Sequence, residues 1–380
     1  VQGHEISSFL VPSMKKLLLL LILLSFNVHA VDISKPINLL FAADKKEKFI
    51  DVIDINKQEV VYRIETEHMV DGLLATPYAP ILVYTNKKEK IMVFYNLETK
   101  QFVKTLSLPM TPRHIVLDTV GNKIGISDSV DGGFVLISAF EMEIKFSLEN
   151  FPPTTDVLFD PNEVDIYYTD NTKGVLGLID IPTQKRYEMP LEQPGKANFS
   201  SPSRSLDGMY IYVANNVTGE IYSLNIYARK IHNKFDVGQS PVRPYTSPEG
   251  SFLYMMDQKT GRFVAIEQGP FTEYNDTNIG EGIDLVTVGR FDRMNLFVSS
   301  ENNKYYIYDN LTKQVVSKGE LAGIPLDAQS SLDGKTAFIA FRDTPKIAAV
   351  NMEAQLINYI NATENGARTY RIGLSNQVCH

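Results

Sequence analysis

SPSRSLDGMYIYVANNVTGEIYSLN, residues 201–225, reads as a turn, an alternating strand, a second turn and a second strand. The same cassette recurs along the chain. SLDG ending at Gly334, SPEG ending at Gly250 and DTVG ending at Gly121 reproduce its first turn, each followed by a period-2 strand: KTAFIAFRD, SFLYMMDQ and NKIGISDS. A short polar turn and further strands complete each copy, and VDIYYTDNTKGVLGLIDI, NLFVSSENNKYYIYDN and APILVYTNKKEKIMVFYN fit the same register. Copies begin near residues 71, 113, 155, 199, 243, 284 and 325. A repeat of roughly 40–45 residues holding four short strands is the signature of a propeller blade, whose apolar faces are buried only by stacking on neighbours. Period-2 alternation punctuated by Gly, Asn and Asp excludes helical solenoids.

Seven copies account for residues 69–363. Residues 37–66 hold three further strands without a first one, and GARTYRIGL near the C-terminus supplies one strand with nothing after it. Pairing the two completes an eighth blade and removes the exposed sheet edges of an open ring. The sequence therefore predicts an all-β propeller of eight four-stranded blades over residues 31–380, with seven blades the alternative if the C-terminal strand lies elsewhere.

Met14-Lys15-Lys16, the run LLLLLILLSF and a small residue at Ala30 form a basic segment, an apolar segment and a cleavage site. This pattern predicts translation from Met14, removal of residues 1–30, and a periplasmic or secreted protein without a stable membrane anchor. The net charge of −8 argues against nucleic acid, which requires a basic face. The single cysteine, Cys379, can form no internal disulfide and supplies only half of a covalent haem motif. No zinc-binding cluster, GxSxG elbow, HExxH, P-loop or GxGxxG opening a helix is present.

MYIYVANNVTGEIYSLN and TAFIAFRDTPKIAAVN resemble the YVTN-type repeat of exported propellers. That superfamily includes bacterial surface repeat proteins, lactonase-like propellers, the heavy chain of quinoprotein amine dehydrogenases and the haem d1-binding propellers. The resemblance implies the blade architecture and carries no site motif, since fold does not dictate function. Eight blades and the C-terminal YRIGL lean toward the haem d1 group, which would make a haem d1-like tetrapyrrole the cofactor.

Aligning the copies on their turns places one position of each innermost strand in a column: Asp71, His114, Asp156, Ser201, Arg243, Leu285 with Asp284 adjacent, Asp327 and Arg368. A column polar in nearly every copy is expected to line the central channel. Arg243 and Arg368 suit carboxylates, and His114 can ligate a metal or exchange a proton near neutral pH. Asp71, Asp156 and Asp327 offer oxygens to a hard cation, but separation by whole blades keeps them apart, and no metal site is expected. A mixed Asp/Arg ring can also simply pair with itself. Three functions follow: a periplasmic binding or scaffold propeller holding a protein partner or small polar ligand at the channel face; a haem d1-type or redox-associated propeller; and a lactonase-like hydrolase. The lack of a nucleophile motif or covalent cofactor motif favours binding over catalysis.

Overall fold

The computed structural model describes residues 32–373 apart from 248 and 270, and those from Ile33 onward form one compact unit. The 1–30 leader and Cys379 lie outside the described residues. Eight antiparallel four-stranded sheets form a ring, as the repeat predicts. Numbered in chain order, blade 2 spans 72–107, blade 3 114–148, blade 4 158–190, blade 5 203–236, blade 6 245–278, blade 7 283–320 and blade 8 325–361. Blade 1 takes its outer three strands from Leu39–Asp44, Phe49–Asp54 and Glu59–Glu65 and its innermost strand from Ala367–Ile372. No described helix is long and apolar enough to cross a membrane.

The alternation in MYIYVANN separates two buried faces rather than core from solvent. Ile211 and Val213 pack with Leu158, Tyr167 and Leu176 of blade 4, whereas Tyr212 and Ala214 pack with Leu253 and Met255 of blade 6. Tyr210–Asn215 is buried from its second residue onward because a neighbouring blade covers each face. Fully burying an apolar side chain stabilises a fold by about 1.5–3 kcal/mol, and each blade contributes several to each interface. Tyr212 shows how a polar tip is carried inside: its Oη donates to Gln268 Oε1 of blade 6 at 2.8 Å. Only the outermost strands are broadly exposed, as in Gln101–Ser107.

The recurrent turn residues have defined tasks. Asn215, fully buried, accepts the N–H groups of Asn198 and Val217 at 3.0 and 3.1 Å and donates to the Lys196 carbonyl at 2.9 Å. It thus ties its own hairpin to the segment entering the blade. Asp44 and Asp170 end the second strand of their blades, Asp128 and Asp257 directly follow it, and all four hold the following turn in the same way. At the opposite end, Ser205 Oγ accepts the Tyr210 N–H at 2.9 Å, and Ser331 does the same for Thr336 at 3.2 Å. Gly208 closes that turn at φ +69°, where a Cβ would meet Pro161 of blade 4 at 2.7 Å.

Leu40 to Asp44 pairs antiparallel with Ala367 to Ile372, joining segments more than 320 residues apart in the chain. Two buried carboxylates reinforce the seam. Asp44 accepts the N–H groups of Glu364 and Asn365 at 2.6 and 2.9 Å, and Asp51 accepts that of Thr363 at 2.8 Å. Burial pushes the Asp44 carboxyl up, but these donors and the N–H groups of Lys46 and Glu47 hold it below its ordinary range.

Asp118, at the first turn of blade 3, behaves oppositely. Its side chain is buried beside Glu163 of blade 4, and burial with that like charge pushes it up to about 6. A folded-state value above the ordinary Asp value near 4 means stability is fully present below pH 4 and declines as pH rises through 6. Asp118→Asn keeps the acceptor for the Asn122 N–H and removes the titration. The variant should gain on the order of 1–2 kcal/mol over the parent between pH 4 and 7, with the two converging below pH 4. Thermal unfolding followed by circular dichroism across that range would refute the assignment if both proteins keep the same slope.

Candidate functional site

Strand register divides the eight column residues into two rows. His114 pairs with Ser127, Leu285 with Val298, Asp327 with Ala340 and Thr369 with Ala43, each partner standing directly before the residue that opens the hairpin turn, Asp128, Ser299, Phe341 or Asp44. Continuing the registers of Leu158, Ser203 and Tyr245 brings Asp156, Ser201 and Arg243 to the same level. Asp71, Asp284 and Arg368 stand one residue earlier, and a one-residue shift in a strand reverses the side. The single column expected from the turns is corrected here: Asp284 and Arg368 sit at irregularities, Ile283/Leu285 and Ala43/Asp44, whereas Asp71 directly precedes Gly72, which pairs with Thr85 in a regular ladder and holds the row's position in blade 2.

The displaced row is structural. Asp71 Oδ2 accepts the Lys87 N–H at 2.8 Å and Asp284 Oδ1 accepts the Ser300 N–H at 2.9 Å, the same bond in two blades. Asp71 also receives Arg368 Nε at 2.8 Å, closing an ion pair between blades 1 and 2, and its side chain keeps only 6 % of its surface.

The other row, with one addition, converges on the channel. His114 Nδ1 lies 3.5 Å from Asp156 Oδ1, and its Nε2 lies 2.9 Å from Ser129 Oγ. Asp156 interacts electrostatically with Arg243 of blade 6 and Arg371 of blade 1, and Asp327 of blade 8 with Arg371 and Asp156. These residues keep surface that water reaches, Arg243 the most, although protein surrounds them on all sides. That combination marks a wet channel rather than either a dry core or an outer surface. Ser201 Oγ bonds Thr155 Oγ1 at 2.9 Å, and Arg243 Nη2 donates to the Pro202 carbonyl at 2.8 Å.

The two channel carboxylates differ. Burial pushes Asp156 up, but His114, Arg243 and Arg371 outweigh it and hold the group below its usual range. Asp327 is pushed up, since burial and the nearby Asp156 charge exceed the help of Arg371, Gln329 and the Ala328 N–H. Burial also lowers Arg243, opposed by Asp156. Arg371 Nε is buried without a hydrogen-bond partner among the described residues.

Arg371, Gln329 and Ser129 escaped the sequence reading. Arg371 and Gln329 lie two residues beyond Thr369 and Asp327, on the same side of their strands, so extending the column by two would have found them. Ser129 lies in the hairpin loop of blade 3, outside any column. His232, on the outermost strand of blade 5, packs between the rings of Tyr210 and Phe271. A cleft of about 170 Å³ between blades 2 and 3, lined by residues including Met110, Asp128 and Gly133, contains none of the eight column residues. Among the described residues, no three His, Cys, Asp or Glu side chains group to hold a metal ion.

No family model matches the chain, and no curated protein matches it. The dihydro-heme d1 dehydrogenase NirN, solved in complex with DHE, superposes with a TM-score of 0.73 at 10% identity, over 91% of this chain and 77% of that one. Kuenenia stuttgartiensis hydrazine synthase gives 0.55 at 10% identity over 77% and 95%, and the Myceliophteria thermophila Cps50 (Swd1) propeller domain 0.57 at 12% over 77% and 96%. At such identities the likeness concerns the fold.

The two rows should separate in mutagenesis. Asp71→Ala and Asp284→Ala each remove an acceptor from a loop N–H and should cost about 1–3 kcal/mol in urea unfolding. Arg243→Ala, which loses one water-exposed donor, should cost less than about 1 kcal/mol. A reversed order would contradict the division.

Proposed function

We propose that the protein is an exported binding propeller that holds a small carboxylate-bearing ligand at the mouth of its central channel. The convergence of Arg243 and Arg371 around one firmly ionised carboxylate, Asp156, carries this reading. Asp327 shares Arg371 with Asp156, and burial works against its charge. The buried, unpartnered Nε of Arg371 is a donor that a carboxylate oxygen would satisfy. Arginine presents a planar fork suited to such an anion, and the surrounding protein weakens screening by water. The leader-like segment at residues 14–30 supports export.

Isothermal titration calorimetry with succinate, citrate and D-gluconate should reveal saturable binding that weakens with added salt. Arg371→Ala should weaken it at least about tenfold, the loss of one charge-assisted contact. Absence of binding by all three anions, or unchanged affinity in the variant, would overturn the reading.

A second reading, a haem d1-type propeller, is favoured by the superposition on NirN across most of the chain. The residues fit such a group in part. Arg243 and Arg371 suit its peripheral carboxylates, but His114 can become an axial ligand only by leaving Ser129 or Asp156. A bound tetrapyrrole would supply redox chemistry; the arginines would anchor and orient it. Titration with haemin should then produce a shifted Soret band that His114→Ala abolishes. An unshifted band, or the same shift in the variant, would remove this reading.

A further inference from the structure

His114 joins two groups that the binding reading does not use together. Ser129 Oγ lies 2.9 Å from its Nε2, and Asp156 Oδ1 lies 3.5 Å from its Nδ1. Hydroxyl, imidazole and carboxylate thus stand in series, each ring nitrogen facing a different partner. This is the order in which a serine is activated: the imidazole takes the hydroxyl proton, and the carboxylate fixes the tautomer and steadies the imidazolium. The longer His114–Asp156 separation is compatible with a ligand-free site, where such bonds tighten on substrate binding. His114, Arg243 and Arg371 keep Asp156 ionised, as an orienting carboxylate must be.

One departure from the repeat occurs at Ser129, and it concerns the backbone rather than the length of the hairpin. Ser127 pairs with Phe134 and the Asp128 N–H bonds the Gly133 carbonyl, so the turn from Asp128 to Gly133 takes five steps, like that from Asn86 to Ile91. In blades 2 and 7 the N–H at the equivalent of Ser129, that of Lys87 or Ser300, is taken by Asp71 or Asp284. In blade 3 the equivalent of Asp71 is Arg113, which accepts nothing and turns its Nε to Asp128 at 2.7 Å. The Ser129 N–H is thereby released from the bond its counterparts make. It stands beside the hydroxyl of its own residue, where a nucleophile's N–H stabilises the oxyanion in serine hydrolases.

We propose that Ser129, His114 and Asp156 form an acyl-transfer site at the channel mouth, hydrolysing esters whose acyl half carries a second carboxylate; this preference rests on the anion-binding reading, whereas the serine chemistry does not. Ser129 Oγ attacks the ester carbonyl carbon as its proton passes to His114 Nε2, and the carbonyl π pair moves to oxygen. Collapse of this intermediate breaks the carbon–alkoxy bond, and the departing alcohol takes the proton from His114. Water repeats the sequence on the acyl-serine, its proton passing through His114 back to Ser129 Oγ and leaving a free acid. Ser129 and His114 are the catalytic residues and Asp156 positions His114.

The purified full-length protein, incubated with a fluorophosphonate probe and mapped by peptide mass spectrometry, should carry the label on Ser129, and Ser129→Ala should lose it. Hydrolysis of p-nitrophenyl acetate and of mono-p-nitrophenyl succinate should fall about 10³-fold or more in kcat/KM with Ser129→Ala. Asp156→Asn should lower kcat roughly 10³–10⁴-fold with little change in KM and with an altered pH–rate profile, which a structural role would not produce. Arg243→Ala should reduce the preference for the succinyl over the acetyl ester about tenfold. Absence of both label and turnover, or equal turnover in Ser129→Ala, overturns the site even if anion binding stands. Ser129-dependent turnover without succinyl preference supports the site and overturns the carboxylate specificity.

Discussion

Pairing of Leu40–Asp44 with Ala367–Ile372 is the contact on which every other interface depends. Each blade covers its two faces with neighbours, and only a closed ring gives the first and last blades a neighbour on both sides. The seam lies within a sheet rather than between sheets, so its geometry is set by backbone hydrogen bonds. The buried carboxylates of Asp44 and Asp51 then fasten the preceding loop, residues 363–365, to the same blade. The inner strand placed by this seam also carries Arg371, so closing the ring and completing the channel cluster are one event.

Two-sided burial decides where chemistry can occur. The second and third strands of a blade have almost no free surface, and their apolar residues alternate between two interfaces. Polar groups survive at turns, where Asp, Asn and Ser accept backbone N–H groups, and at the start of the inner strands, where the channel opens. Asn215 and His114 illustrate the two fates. The first is spent on holding a hairpin, while the second faces other side chains across the channel.

The fold was legible because blade spacing, SLDG-type turns and the split blade all leave marks in the sequence. Within the site, His114, Asp156, Ser201, Arg243 and Asp327 were legible because they repeat at one position. Asp284 and Arg368 were misplaced by one residue at β-bulges, and Asp71 because the row's position in blade 2 is held by Gly72, which has no side chain to mark it. Ser129 left no sequence signal of its own. Its significance comes from a neighbouring strand that places His114 over it and from the substitution of Arg113 for a carboxylate, and both need pairing register to be seen.

The outermost strands carry a further consequence. Each ends its sheet with an unpaired edge, and seven of the eight include charged residues, such as Lys104 in Gln101–Ser107 or Lys230 and Lys234 in Lys230–Asp236. Leu356–Asn361, LINYIN, has none, and it exposes Leu356 and Tyr359. Charge on an edge strand resists intermolecular sheet growth. The rim of blade 8 is therefore the part of the ring where a strand from another molecule would meet the least electrostatic resistance, and it marks the weak point of this protein's colloidal stability.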